Sequence, residues 1–207
     1  MGKGDVTRQT IVEHAAGLAT QMGLAGLTIG RLADDLGLSK SGLFAHFESK
    51  ESLQLSAMEY AAQRFVDAVV KPAFTAARGE PRVRTLFENW LGWPQKSGLA
   101  GGCFFVAVTA ELDDRPGPVR DRLVKLQQDW LDTLAQAVRI GIAEGHFRKD
   151  VDPDQFAYEM YGVMLVNHHC TRLLRDPRAE SRARRAFENL LTGVRKSQPY
   201  PIQKEKR

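Results

Sequence analysis

Within this chain of 207 residues, the stretch Ser39-Lys40-Ser41-Gly42 has residue types that suit the binding of an anion. A serine can cap the start of a helix, and the free N–H groups of the first turn then point at a phosphate. Lys40, Ser41 and Gly42 would be the first exposed residues of that helix. A lysine at such a position suits the O6 and N7 acceptors of guanine. The stretch is therefore a candidate phosphate-binding site.

Two short helices must position this stretch. Thr28 predicts the N-terminus of the first helix, which ends at Gly37, and Ser39 predicts the N-terminus of the second. Ala33 is small enough for the two helices to cross steeply, and Gly37 tolerates the positive φ of a tight turn. This spacing predicts a helix-turn-helix, which presents the first turn of its second helix to base edges in the major groove. A plain helical hairpin is the alternative.

Residues 7–55 resemble the TetR family of transcriptional repressors. The family commonly carries Leu/Val-Ser-x-x-x-Leu/Ile-Tyr-x-His-Phe-x-x-Lys-x-x-Leu over its recognition helix and the start of the following helix. The chain matches this pattern at Leu38, Ser39, Leu43, His46, Phe47, Lys50 and Leu53. The resemblance implies a dimeric repressor that a small-molecule effector releases from a palindromic, double-stranded DNA operator.

The resemblance also implies roles for individual residues. Phosphate contacts position such a protein on the duplex, whereas base contacts specify the operator. The expected phosphate contacts are Thr28, Ser39, His46 and Lys50, and the expected base contacts are Lys40, Ser41 and Gly42.

Two further residues near this surface have open or altered roles. Arg31 either reaches the DNA backbone or is a solvated surface residue. Phe44 stands where the family usually has tyrosine, so we expect one hydrogen bond to a phosphate to be missing.

The rest of the chain also predicts helices. Apolar residues recur at i, i+3 and i+4 between Gly, Pro and Ser/Thr/Asp, without the alternation typical of strands. We expect an all-α fold, in which a long helix joins an N-terminal three-helix helix-turn-helix unit to a helical ligand-binding and dimerisation domain. The expected boundaries are 1–50 for the DNA-binding domain, 51–198 for the second domain, and 199–207 for a flexible basic tail. The longer helices are expected at 81–96, 103–113, 119–143, 153–174 and 179–196.

The C-terminal part is rich in aromatic residues that the N-terminal unit lacks. By the resemblance, this region encloses a pocket for the effector, and the alternative is that its aromatic side chains only fill the core. The expected pocket residues are Trp90, Trp93, Phe104, Phe105 and Trp130.

The last two long helices are the candidates for a homodimer interface. One recognition helix reads few base pairs, so helix-turn-helix proteins bind as two-fold dimers. Pairing both helices with their symmetry mates would give a four-helix bundle, and the alternative is that their apolar faces only complete the core of one chain. The expected interface residues are Tyr161, Leu165, Phe187 and Leu191.

Cys103 offers a different regulatory mechanism. A cysteine near the start of a helix can have a lowered thiol pKa, which would make a redox-responsive repressor, whereas a buried cysteine would be inert. A helical adaptor that does not bind DNA is a third possibility.

Catalytic and metal chemistries find little support. The sequence has no G-x-S-x-G, G-x-x-x-x-G-K-[ST], H-E-x-x-H or C-x-x-C motif, so we expect no enzyme, cofactor or metal. The run His168-His169-Cys170 is consecutive on a helix, where neighbours about 100° apart cannot converge on one ion.

Composition and charge set the cellular context. No run approaches the roughly 20 apolar residues of a membrane span, and the N-terminus lacks a secretory signal, so we expect a cytoplasmic protein without a membrane partner. The net charge is +4, yet residues 1–50 hold five basic and five acidic side chains. The surplus lies in residues 171–207, so total charge alone does not predict DNA binding.

Overall fold

A computed structural model describes residues 3–196, with the side chains of residues 3–7 and of Phe44 excluded. The expected tail, 199–207, lies outside the described residues. The described chain confirms the all-α prediction. The helices are α1 (Lys3–Met22), α2 (Ile29–Leu36), α3 (Lys40–Phe44), α4 (Lys50–Phe65), α5 (Lys71–Thr75), α6 (Glu80–Lys96), α7 (Phe104–Leu112), α8 (Pro118–Ala143), α9 (Pro153–Arg172) and α10 (Ala179–Val194).

The turn between α2 and α3 has the geometry that the sequence predicts. Gly37 adopts a left-handed conformation with φ of 63°, and its N–H caps the end of α2. A side chain with a Cβ rarely adopts this conformation, which explains the glycine. Leu32, Ala33 and Leu43 are buried where α2 and α3 meet. Their burial fixes the crossing of the two helices and leaves the first turn of α3 outside.

The helix that follows the helix-turn-helix changes its winding before it ends. Residues Val66–Val70 form a π-helical turn between α4 and α5. Pro72 follows this turn, and its ring clashes with the carbonyl of the residue four positions earlier while it lacks an N–H. The wider turn absorbs that clash.

The C-terminal domain has a continuous aromatic and aliphatic core. Helix α9 packs between α8 and α10. Phe87 and Phe187 stack with ring centroids 3.9 Å apart, which ties α6 to α10. Phe65 of α4 packs edge-on against Trp93 and Trp130, so the helix that follows the helix-turn-helix enters this core. No helix among residues 3–196 is long and apolar enough to span a membrane.

An ion-pair network ties the start of α6 to the end of α10. The Glu80 carboxylate accepts hydrogen bonds from the guanidinium groups of Arg195, at 2.9 Å from Nε, and Arg84, at 2.8 Å. Arg84 also pairs with Glu188. Hydrogen bonding from Arg195, and then from Arg84, lowers the pKa of Glu80 from 4.5 to about 2. The folded state therefore favours the ionised carboxylate.

Replacing Glu80 with glutamine is expected to lower the free energy of unfolding by about 1–3 kcal/mol at pH 7, because the folded pKa is depressed. The stabilisation from Glu80 is complete above pH 4.5 and is lost as the pH falls from 4.5 towards 2. Urea denaturation of both proteins between pH 7 and pH 3 measures this difference. Asp114→Asn, at an exposed acid, is the control. A difference independent of pH would contradict the assignment.

Candidate DNA-binding surface and ligand cavity

The first turn of α3 is capped and exposed. Ser39 accepts a hydrogen bond from the N–H of Gly42 at 3.0 Å, and its hydroxyl lies 3.2 Å from the Ser41 hydroxyl. Lys40 and Ser41 are exposed, and Gly42 is half-buried. The Lys40 side chain lies beside Gly30, and a Cβ added at Gly30 would lie 3.4 Å from Cε of Lys40. This turn therefore presents the ammonium group of Lys40 and the hydroxyl of Ser41 to a ligand.

Two predicted DNA contacts lie at the N-terminus of α2. The Thr28 hydroxyl oxygen accepts a hydrogen bond from the Arg31 N–H at 3.2 Å, and the hydroxyl can still donate to a phosphate. Arg31 is exposed, with its Nε 3.8 Å from the carboxylate of Asp35. Asp35 also lies 3.1 Å from Nε2 of His14 on α1. The Asp35 carboxylate therefore lies between the guanidinium group of Arg31 and the imidazole of His14.

The remaining predicted contacts follow α3. His46 is half-buried and Phe47 is fully buried. Lys50 is exposed, but its Nζ donates to the carbonyl of Ala25 at 2.7 Å, an intramolecular partner that the sequence did not indicate. Its ammonium group has two further N–H donors for a phosphate. The expected effect of Phe44 concerns a side chain outside the described part of the structure.

A cavity of about 180 Å³ lies between α4, the π turn, α6, the start of α7, α8 and α9. Three predicted pocket residues, Trp90, Phe105 and Trp130, line it. The other two, Trp93 and Phe104, are fully buried in the surrounding core instead. The lining residues are Ala62, Phe65, Val66, Val70, Trp90, Cys103, Phe105, Leu126, Gln127, Asp129, Trp130, Thr133 and Tyr161.

Helix α4 and the π turn also line this cavity, which the sequence did not predict. Ala62, Phe65 and Val66 have the i, i+3, i+4 spacing of one helix face, and that spacing could have indicated a second packing surface. Tyr161 lies in the cavity wall, although it was expected at a dimer interface. Its hydroxyl donates to Oε1 of Gln127 at 2.9 Å, and burial raises the pKa of Tyr161.

Cys103 stands at the N-terminus of α7 and in the cavity wall. Its side chain is buried, and this burial raises the pKa of the thiol in spite of nearby backbone N–H groups. Of the two alternatives, the raised pKa favours the buried, inert cysteine over the redox-responsive one, because desolvation outweighs the helix terminus. The thiol stays protonated at neutral pH, which makes it a poor nucleophile.

Helix α7 and the loop before it hold the DNA-binding unit at two points. The N–H of Gly101 donates to the hydroxyl oxygen of Thr20 at 2.8 Å in a buried contact between this loop and α1. At the other end of α7, the Glu111 carboxylate accepts from the N–H of Ala25. The sequence alone gives Glu111 no partner, since it lies 86 residues from Ala25. It fixes the loop between α1 and α2.

The exposed face of α9 is unusually apolar, whereas part of the predicted dimer interface is internal. Phe187 and Leu191 are buried within one chain, so the expectation that they form an interface is wrong for these two residues. Their side chains complete the core, for example in the stack of Phe187 on Phe87. Leu165 is exposed, as expected of an interface residue. The other large exposed apolar side chains of this region are Tyr158, Val166, Leu173 and Leu174.

A capped helix-turn-helix beside a helical C-terminal part that holds an apolar pocket is the architecture of a DNA-binding regulator. Two family profiles match the chain: "Bacterial regulatory proteins, tetR family" over residues 11–57 and "Tetracyclin repressor-like, C-terminal domain" over residues 79–187. The chain belongs to the TetR family of transcriptional regulators, whose members are not enzymes.

Individual relatives agree with this assignment. The repressor KstR2 of Mycobacterium tuberculosis is 27% identical over 159 residues, which are 74% of this chain and 75% of the relative. A TetR regulator from Chloroflexus aurantiacus superposes with a TM-score of 0.81 and 30% identity, covering 95% of this chain and all of that one. AibR, solved with isovaleryl coenzyme A and operator DNA, has a TM-score of 0.68 at 20% identity, covering 90% and 97% of the two chains.

Proposed function

We propose that this regulator is a homodimeric, cytoplasmic repressor that a small-molecule effector releases from a palindromic operator. The proposal assigns DNA binding to residues 1–50 and ligand binding and dimerisation to 51–198. One observation carries it: the helix that begins beside the recognition helix, α4, continues into the wall of the cavity. Lys50 at its start holds the α1–α2 loop, and Ala62 and Phe65 line the cavity.

This arrangement couples the two sites mechanically. A ligand that changes the packing of Phe65 must move α4 or the helices that it touches, because a packed core shifts between discrete arrangements. The same helix carries the lysine that holds the α1–α2 loop. A second connection runs through α7, which begins at the cavity residue Cys103 and ends near Glu111. The effector is expected to favour an arrangement with lower DNA affinity. AibR was captured with both kinds of ligand.

The DNA contacts of the proposal keep the residues assigned above. The residues that face the bases are Lys40, Ser41 and Gly42. The phosphate backbone is contacted by Thr28, Arg31, Ser39, His46 and Lys50.

Binding to a random library of duplexes, followed by enrichment and sequencing, tests the proposed function. Enrichment of a two-fold symmetric sequence is the expected result, because a symmetric dimer presents two copies of α3. Failure to enrich any sequence at low salt would instead favour the adaptor hypothesis. The redox hypothesis is weakened by the buried Cys103, and unchanged operator affinity after peroxide treatment is expected.

The proposed dimer interface uses α9 and α10. A groove between them is lined by Gly162, Val166, Cys170, Ala183 and Ala186 among others, and its small residues allow close helix packing. Val166 is 62% exposed at this groove. Leu165, Leu173 and Leu174 extend the apolar surface, and patches of this kind mark interaction sites.

Replacing Val166 with glutamate is expected to shift the protein from dimer to monomer and to abolish tight operator binding. A charge at the centre of an apolar interface must lose its hydration without a partner. Sedimentation velocity measures the assembly state. Phe74→Ser is the matched control, since Phe74 is also a large exposed apolar residue but lies on α5, away from the groove. A Val166→Glu protein that remained dimeric would place the interface elsewhere.

A further inference from the structure

The cavity has a size, a charge and a polar group that together select a class of effector. We infer that it takes an uncharged organic molecule of about one ring, whose carbonyl or hydroxyl oxygen meets Gln127. This inference rests on the proposed function, since it names the ligand of the same site.

The volume sets the size of the ligand. A cavity of roughly 150 Å³ lined by apolar side chains holds one benzene molecule. The present cavity, at about 180 Å³, therefore accommodates one ring with a small substituent.

The charges around the cavity favour an uncharged ligand. No lysine, arginine or histidine belongs to the described lining, and Asp129 is its one carboxylate. Burial keeps the thiol of Cys103 and the phenol of Tyr161 protonated, since it raises the pKa of both groups. An anion would lose its hydration with no cation to replace it. A cation would have to compete with Lys125, which already pairs with Asp129 at 2.8 Å.

The amide of Gln127 offers the cavity a hydrogen-bond donor. Tyr161 donates its hydroxyl hydrogen to Oε1 of Gln127, which fixes the orientation of the amide. The amide nitrogen of Gln127 carries two N–H donors, so it suits an oxygen acceptor on the ligand. The indole Nε1 of Trp130, another lining residue, is also buried without a hydrogen-bond partner among the described residues, so the wall holds a second N–H donor. A few well-placed polar groups among apolar walls are typical of small-molecule sites.

The aromatic walls favour a ring over an aliphatic chain. Phe65 lies edge-on to Trp130 with centroids 4.9 Å apart, and edge-on to Phe105 at 5.7 Å. Trp90 and Tyr161 form a further edge-on pair at 6.3 Å. A planar ring can continue this edge-to-face packing with the rings of the wall.

Three probes of nearly equal size separate the possible charges: benzyl alcohol, benzoate and benzylammonium. Trp90 and Trp130 line the cavity, so tryptophan fluorescence can follow the titrations alongside calorimetry. We expect benzyl alcohol to bind at least tenfold more tightly than either ion. Equal or tighter binding of benzoate or benzylammonium would overturn the inference.

Variants locate the binding and test the polar contact. Ala62→Leu and Val66→Phe each fill the cavity from α4 or the π turn, and each is expected to weaken benzyl alcohol binding at least tenfold, with folding checked by circular dichroism. Gln127→Leu is expected to weaken benzyl alcohol about threefold to tenfold and to leave toluene unchanged, because toluene lacks the oxygen. Equal losses for both probes, or none in the filled variants, would overturn the inference. Operator binding without probe binding would overturn the ligand class and leave DNA binding intact.

Discussion

Replacing Lys40 with alanine is expected to weaken binding to the selected operator about 5-fold to 150-fold for each half-site and to relax one base preference. A lysine that contacts guanine contributes discrimination of about 1–3 kcal/mol against the wrong base. Lys40 is exposed in the first turn of α3, where Ser39 caps the helix and leaves the lysine clear of the turn. Because the proposed dimer is symmetric, the preference should be lost at the same position of both half-sites. Selection from the random duplex library with each protein measures this.

Lys50→Ala provides the contrast to Lys40→Ala. A phosphate contact carries no base information, so this variant should weaken all duplexes alike and reduce the salt dependence of binding by about one unit of slope per site. Since Lys50 also holds the carbonyl of Ala25, some loss of stability is expected as well. Lys149→Ala, at an exposed lysine of the loop after α8, is the control. Identical sequence preferences in wild type and Lys40→Ala would refute the assignment of α3.

Replacing Gly101 with valine is expected to separate α7 from α1 and to impair both stability and DNA binding. A Cβ at this position would lie 2.0 Å from the carbonyl oxygen of Thr20, so the backbones themselves must move. Overpacking of this kind costs about 1–3 kcal/mol, and the move also breaks the buried hydrogen bond between Gly101 and Thr20. Urea denaturation and operator titration measure the two effects.

Two further variants separate the contact from the general effect of a substitution. Gly193→Ala adds a methyl group in α10 where no atom lies within 4 Å, so stability should be unchanged or slightly higher. Thr20→Val keeps the shape of the side chain and removes the oxygen that accepts from Gly101, so it should reproduce part of the Gly101→Val loss. If Gly101→Val left operator affinity intact, the contact between α7 and α1 would have no role in DNA binding.

Local chemistry made the helix-turn-helix predictable from the sequence. Thr28, Gly37 and Ser39 each hydrogen-bond to backbone groups that lie three or four positions away. The structure shows these caps where the spacing indicated. The apolar periodicity likewise predicted the long helices. These features depend on short separations along the chain, where residue type and spacing determine the geometry.

Contacts between distant elements escaped the same reasoning. An apolar side chain such as Leu191 looks alike whether it faces its own core or a second copy, and the structure places it in the core. Glu111 and Lys50 resemble solvated charges in the sequence, yet both hold the backbone of Ala25 from elements far apart in the chain. The packing of whole helices decides which ionisable side chain reaches a given carbonyl or N–H. The periodicity of apolar residues carries no information about that packing.

Titration of the selected operator with the full chain, at several salt concentrations and with the mass of the complex determined, tests the central claim most directly. The account predicts two chains on one symmetric duplex and a log–log salt slope of roughly −4 or steeper, from Arg31 and Lys50 of both chains. It also predicts that Val166→Glu loses this complex. A single chain bound without sequence preference, or no binding at low salt, would contradict the account.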